Sequence, residues 1–90
     1  MPERRLTLTN DLGLHARAAA QVVQCAARFK SQIIIRREDR NADADARSIL
    51  DILYLAADKG KEVLIVAEGE DADQALVEIE SLFTNGFGEI

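Results

Sequence analysis

The chain has a single histidine, His15, two residues before Arg17 in the run Gly13-Leu14-His15-Ala16-Arg17. The run falls where a strand pattern stops and a helical pattern starts. The opening turn of a helix leaves backbone N–H groups without internal partners, which a Ser, Thr, Asp or Asn side chain ordinarily satisfies. None of these stands at the junction, so the amides of Ala16, Arg17 and Ala18 are expected to face the imidazole. The positive helix end and the Arg17 guanidinium both favour a neutral ring, which keeps a lone pair on one nitrogen. A neutral imidazole is a nucleophile, and phosphorus is a suitable electrophile. A phosphoryl group on the ring would meet the free amides and the planar donor fork of Arg17. Phosphoryl transfer asks a protein chiefly for positioning and charge stabilisation. The plainer reading of a lone loop histidine is a solvated surface residue; the missing cap and the adjacent arginine weigh against it.

Ser48 is the second chemically interesting position. A serine there suits the N-cap of a helix, which is its ordinary role. As a phosphorylation site it would add about −2 charge at a helix start, which the dipole tolerates. A metal centre is not expected, since one histidine and one cysteine make no ligand set. Cys25 lies about three helical turns from His15, too far for a Cys–His pair, and reads as packing. The segment from Ser48 to Asp58 is apolar around most of its circumference. Some of Ile49, Leu50, Leu53 and Tyr54 should therefore stay exposed, as a protein contact or as a wide inner stripe.

The elements that position these residues follow from periodicity. Arg4–Thr9 alternates with Leu6 and Leu8 inward, a half-buried strand, and Asn10, Asp11 and Gly13 supply a turn. From Ala16 to Phe29 the period is helical, with Arg17, Gln21, Gln24 and Arg28 wet and Ala19, Val22, Val23, Ala26 and Phe29 buried. Gln32–Arg37 is a second strand. Arg36, Arg37 and Arg40, interleaved with Glu38 and Asp39, read as a solvated hairpin end. Ala42, Ala44 and Ala46 alternate with Asp43 and Asp45 in an edge strand. A short helix follows Ser48 and closes near Gly60. Lys61–Glu68 is a fourth strand. Asp71 with Gln74 resembles a capping box for a last helix, ended by Asn85-Gly86. The order β-α-β-β-α-β-α fits a split β-α-β arrangement, an α+β domain with its helices packed on one face of an antiparallel sheet.

Ninety residues make room for one core, and 48% hydrophobic content fits a globular chain. A net charge of −5 argues against nucleic acid as a partner. One cysteine cannot form an internal disulfide, and no secretory leader or apolar span is evident, so a cytoplasmic protein without membrane insertion is expected.

Several strings, in order and at matching spacing, resemble the HPr family, the histidine-containing phosphocarriers of the bacterial phosphoenolpyruvate-dependent sugar phosphotransferase system. They are Asn10–Arg17, Arg47-Ser48-Ile49-Leu50, Ala67–Ala72 and Gly86-Phe87-Gly88-Glu89. The resemblance covers nearly the whole chain as a single domain, residues 1–90, and implies an open-faced β-sandwich, a four-stranded antiparallel sheet with three helices on one face. It implies that His15 accepts a phosphoryl group on Nδ1 from enzyme I and passes it to the IIA components of sugar permeases. Arg17 would be the phosphate partner. Ala16, Arg17, Ala20, Gln24, Ala27, Ile49, Leu50 and Leu53 would form the shared docking surface. Ser48 would be the target of an HPr kinase/phosphorylase. Such a protein is a carrier in a phosphotransferase relay more than a conventional enzyme; no cofactor is expected, and a monomer is. One position departs from the pattern: Ala18 stands where the family usually has proline, which adds an amide at the helix start. Two alternatives accompany this reading. One is a specialised regulatory paralogue acting by docking to partner proteins. The other is a small-ligand-binding regulatory module, disfavoured by the lack of a Gly-rich loop.

Overall fold

Strand alternation places Leu6, Ile33, Ile35, Ala44, Val63, Ile65 and Ala67 on one side of a sheet, and three helices cover that side. These elements come from a computed structural model describing residues 2–89. The strands are β1 (Glu3–Thr7), β2 (Gln32–Arg37), β3 (Ala42–Asp45) and β4 (Glu62–Glu68), antiparallel in the order β1-β4-β2-β3. Register sets Leu6 opposite Val63, and Ile35 opposite both Ile65 and Ala44. The helices are α1 (Ala16–Ala26), α2 (Ile49–Tyr54) and α3 (Ala72–Thr84). The element order is the one the periodicity predicts, and the open-faced architecture is the one the resemblance implies.

The core joins the inner sheet face to Ala18, Ala19, Val22 and Ala26 of α1, Ile52 of α2, and Ala75, Leu76, Ile79 and Phe83 of α3. The alanines of α1 carry no bulk beyond Cβ, so that helix can lie close to its neighbours. Truncating a buried isoleucine or leucine to alanine costs about 2–5 kcal/mol. An exposed ion pair such as Arg5–Glu38 or Arg36–Asp43 is worth about 0–1 kcal/mol. The core therefore decides stability. On the open face Leu64 and Val66 are buried as well. Leu64 is flanked in register by Arg5 and Arg36, whose stems can cover apolar surface.

Four local expectations are corrected. Arg37 is not a solvated hairpin residue: it is buried, donates from Nη1 to the carbonyls of Leu55 and Ala56 at 2.8 Å each, and pairs with Asp39. Those carbonyls lie at the C-terminal end of α2, which stops at Tyr54 and does not run to Gly60. Ala56 adopts a left-handed conformation (φ 49°) just beyond it, a departure that breaks the helical ladder. Likewise α1 stops at Ala26, short of Phe29. The Asp71–Gln74 capping box does not form. Asp71 instead accepts from the amides of Lys30 (2.8 Å) and Ser31 (2.9 Å) and from the Ser31 hydroxyl, tying the α1–β2 turn to the start of α3.

Candidate functional site

His15 is carried by the loop from Leu8 to α1, and that loop is fastened at several points. Asn10 is fully buried and donates through Nδ2 to the Gly13 carbonyl at 2.9 Å; the Gly13 amide donates back to the Asn10 carbonyl at 3.2 Å. Gly13 has φ +61°, and a Cβ there would come within 2.4 Å of the Ala57 carbonyl oxygen. Only glycine meets both demands. Leu14 is buried, and its amide donates to the same Ala57 oxygen at 2.9 Å. The loop thus docks on the segment that follows α2.

His15 itself is the N-cap of α1. Its backbone is extended, its carbonyl accepts from the Ala19 amide at 2.8 Å, and its Nδ1 accepts from the Arg17 amide at 3.4 Å. The helix start lacks a conventional cap, as its sequence indicates, but it is not open: the histidine takes the role. The other ring nitrogen, Nε2, is hydrogen-bonded to the Glu89 carboxylate through Oε2. The second carboxylate oxygen, Oε1, accepts from Asn10 Nδ2 at 3.1 Å. A carboxylate only accepts, so the proton sits on Nε2; the Arg17 N–H only donates, so the lone pair sits on Nδ1. The Asn10 amide, and after it the His15 ring, hold the Glu89 carboxyl below its ordinary range.

Glu89 reaches this position because the residues before it are anchored. Phe87 is buried with a left-handed φ of 56°, its ring centroid 5.0 Å from that of Phe83. The Gln21 side chain of α1 donates to the Phe87 carbonyl at 3.1 Å. The resemblance drew attention to the Gly86–Glu89 string, but no role for Glu89 could be read from it. The contact joins residues 74 apart in sequence, and no local pattern encodes it.

Arg17 is exposed and makes no ion pair among the described residues. With Asp11, Leu12 and Glu89 it lines a concavity of about 300 Å³ beside the imidazole. The amide of Ala18 belongs to the same opening turn, and its side chain is fully buried.

Ser48 caps α2: its hydroxyl accepts from the Asp51 amide at 3.2 Å. The Arg47 guanidinium beside it is committed to the carbonyls of Phe29 and Ser31. Ile49, Leu50, Leu53 and Tyr54 are exposed, with Leu50 at 71% and Tyr54 at 83%. Gln24 on α1 and Ala27 just past its end are exposed, and Ala20 is half-buried. Leu12, 65% exposed beside the concavity, adds an apolar residue to this side that the sequence reading did not single out. Cys25 is buried, with Arg28 Nη2 3.6 Å from its sulfur. Among the described residues no group of three His, Cys, Asp or Glu side chains could hold a metal, and no helix is long and apolar enough to cross a membrane.

Residues 2–85 match the PTS-HPr family, described as PTS HPr component phosphorylation site. The chain is 39% identical over 89 residues to phosphocarrier protein HPr of Xylella fastidiosa (strain Temecula1), covering 99% of this chain and 98% of that protein. It is 31% identical over 87 residues to phosphocarrier protein NPr of Escherichia coli (strain K12), covering 97% and 96%. The crystal structure of HPr-C-His from Thermoanaerobacter tengcongensis superposes with a TM-score of 0.94 at 38% identity, over 100% of this chain and 99% of that one.

Proposed function

The chain belongs to the HPr family of phosphocarriers, and from that premise we propose that His15 takes a phosphoryl group on Nδ1 from phosphorylated enzyme I and yields it to the IIA components of sugar permeases. One observation carries this reading: Nδ1 presents its lone pair to the opening amides of α1 while Nε2 is engaged elsewhere. In the transfer, the Nδ1 lone pair forms the bond to phosphorus as the donor's bond to phosphorus breaks and its electron pair leaves with the donor. The Arg17 amide, released from Nδ1, can then donate to a phosphoryl oxygen, as can the amides of Ala16 and Ala18. The Arg17 guanidinium, exposed and without an ion pair among the described residues, supplies a charge for the same group. Onward transfer is the reverse at a new acceptor.

The partners dock, in this reading, on the face formed by Ala16, Arg17, Ala20, Gln24, Ala27, Ile49, Leu50 and Leu53. It combines exposed apolar side chains with the reactive ring at one edge, as a transfer partner needs. Ser48, at the margin of that face, is the site for an HPr kinase/phosphorylase, and a phosphate there would place charge beside Ile49 and Leu50. The carrier works as a monomer in the cytoplasm.

Incubation with enzyme I and phosphoenolpyruvate should give an acid-labile, alkali-stable phosphoryl adduct that His15→Ala loses entirely. An adduct that survives this substitution would overturn the assignment.

A further inference from the structure

The arrangement around Nε2 goes beyond what a phosphoryl acceptor requires of its own loop. A histidine has two candidate nucleophilic nitrogens, and in water both neutral tautomers are populated. Here each nitrogen has a partner that can play only one part. Glu89 can only accept, and the Arg17 amide can only donate. Turning the ring over would lose both contacts, so the ring plane is fixed together with the proton. The carboxylate is oriented in turn: Asn10 is fully buried, and its amide nitrogen bridges the Gly13 carbonyl and Glu89 Oε1, both acceptors. Asn10, Glu89 and His15 therefore form an ordered chain of the kind in which a buried partner orients a carboxylate and the carboxylate orients an imidazole.

We infer that Glu89, held by Asn10, is a positioning residue for phosphoryl transfer that keeps the His15 proton on Nε2 and so makes Nδ1 the nitrogen that bonds phosphorus. The inference rests on the reading of His15 as the phosphoryl acceptor. As the Nδ1 lone pair becomes the N–P bond, the ring gains positive charge and the proton stays on Nε2. The Glu89 carboxylate lies against that charge, on the opposite side of the ring from the incoming dianion. When phosphorus leaves, the pair returns to Nδ1 and the ring is neutral again, with its proton unmoved.

The test is ¹⁵N NMR of the imidazole in the unphosphorylated protein at mildly alkaline pH, in wild type, Glu89→Gln and Glu89→Ala, with phosphoryl uptake measured on the same samples. The wild type should show the Nε2–H tautomer. In Glu89→Gln the Asn10 amide, a donor, keeps the glutamine carbonyl and leaves its NH₂ against Nε2, so the Nε2–H population should fall. In Glu89→Ala the ring loses the carboxylate that accepts its proton, the only such acceptor among the described residues. Uptake should slow about 10-fold in both. If both variants keep the wild-type tautomer signature, or both keep the wild-type uptake rate, the inference is overturned. The two readings fail separately: the tautomer is measured before any phosphoryl group is present, whereas uptake surviving in His15→Ala would remove the acceptor assignment and leave the tautomer result standing.

Discussion

The starts of α1 and α2 use the same local device and reach opposite ends. In each, the residue before the helix turns its side chain back to accept an amide two or three positions on: His15 from Arg17, and Ser48 from Asp51. Around His15 the remaining groups are poised. The second ring nitrogen is gripped by Glu89, and the nearby Arg17 guanidinium makes no ion pair among the described residues. Around Ser48 the remaining groups are spent or of the wrong sign. Arg47 is bound to the carbonyls of Phe29 and Ser31, and the Asp45 and Asp51 carboxylates accept from backbone amides at the same turn. What separates the two caps is a partner outside the helix on the far side of His15, and a cation beside it that makes no ion pair among the described residues.

The sharpest way to break this comparison is to exchange the fates of the two arginines. Arg17→Ala should slow phosphoryl uptake about 100-fold by removing a charged donor from the transferring group. Arg47→Ala should leave uptake at the wild-type rate while lowering stability, because two backbone carbonyls lose their donor. Equal effects on uptake would show that the free guanidinium is not what distinguishes the sites.

A smaller effect is expected at the second cap. Ser48→Ala removes one amide partner from α2 and should lower unfolding free energy by about 1 kcal/mol, read from chemical denaturation, with uptake by His15 unchanged. A stability loss near zero would mean the cap is idle and the two helix starts less alike than their geometry.

The smallest effect concerns pH. The Asn10 amide and, less strongly, the His15 ring depress the Glu89 carboxyl below the ordinary 4.5; Arg17 adds a weaker attraction. A folded-state value below the unfolded one contributes stability above the ordinary glutamate range, and that contribution is lost as pH falls through the depressed value. The Glu89 carboxyl carbon, followed by NMR, should therefore titrate below 4.5. Asn10→Ala should move its midpoint up toward that figure. A midpoint unaffected by Asn10 would detach the carboxylate from its orienting partner.

The fold was legible in the sequence because each element announces itself over a few residues. Leu6 and Leu8, the Ile33–Ile35 run and the Ala72–Phe83 stripe carry their periodicity within one segment. The His15 site was legible for the same reason: a histidine, an arginine and the lack of a conventional cap lie within a handful of positions. What escaped was set by tertiary closure. Arg37 looks solvated beside Glu38 and Asp39, yet the end of α2 brings two carbonyls to it. Asp71 looks like a helix cap, yet Lys30 and Ser31 offer it three donors from another turn. Glu89 meets His15 across 74 residues, two positions after a Phe87 that packs against Phe83. In each case a polar side chain gains a distant partner that no local pattern encodes.

The contact of Gly13 and Leu14 with Ala57 has an evolutionary corollary. Any side chain at position 13 would have to displace the same carbonyl that holds Leu14, so the stretch bearing His15 and the stretch leaving α2 cannot drift apart independently. A lineage that remodels one must remodel the other in step, and the imidazole and the apolar helix beside it are inherited as a unit.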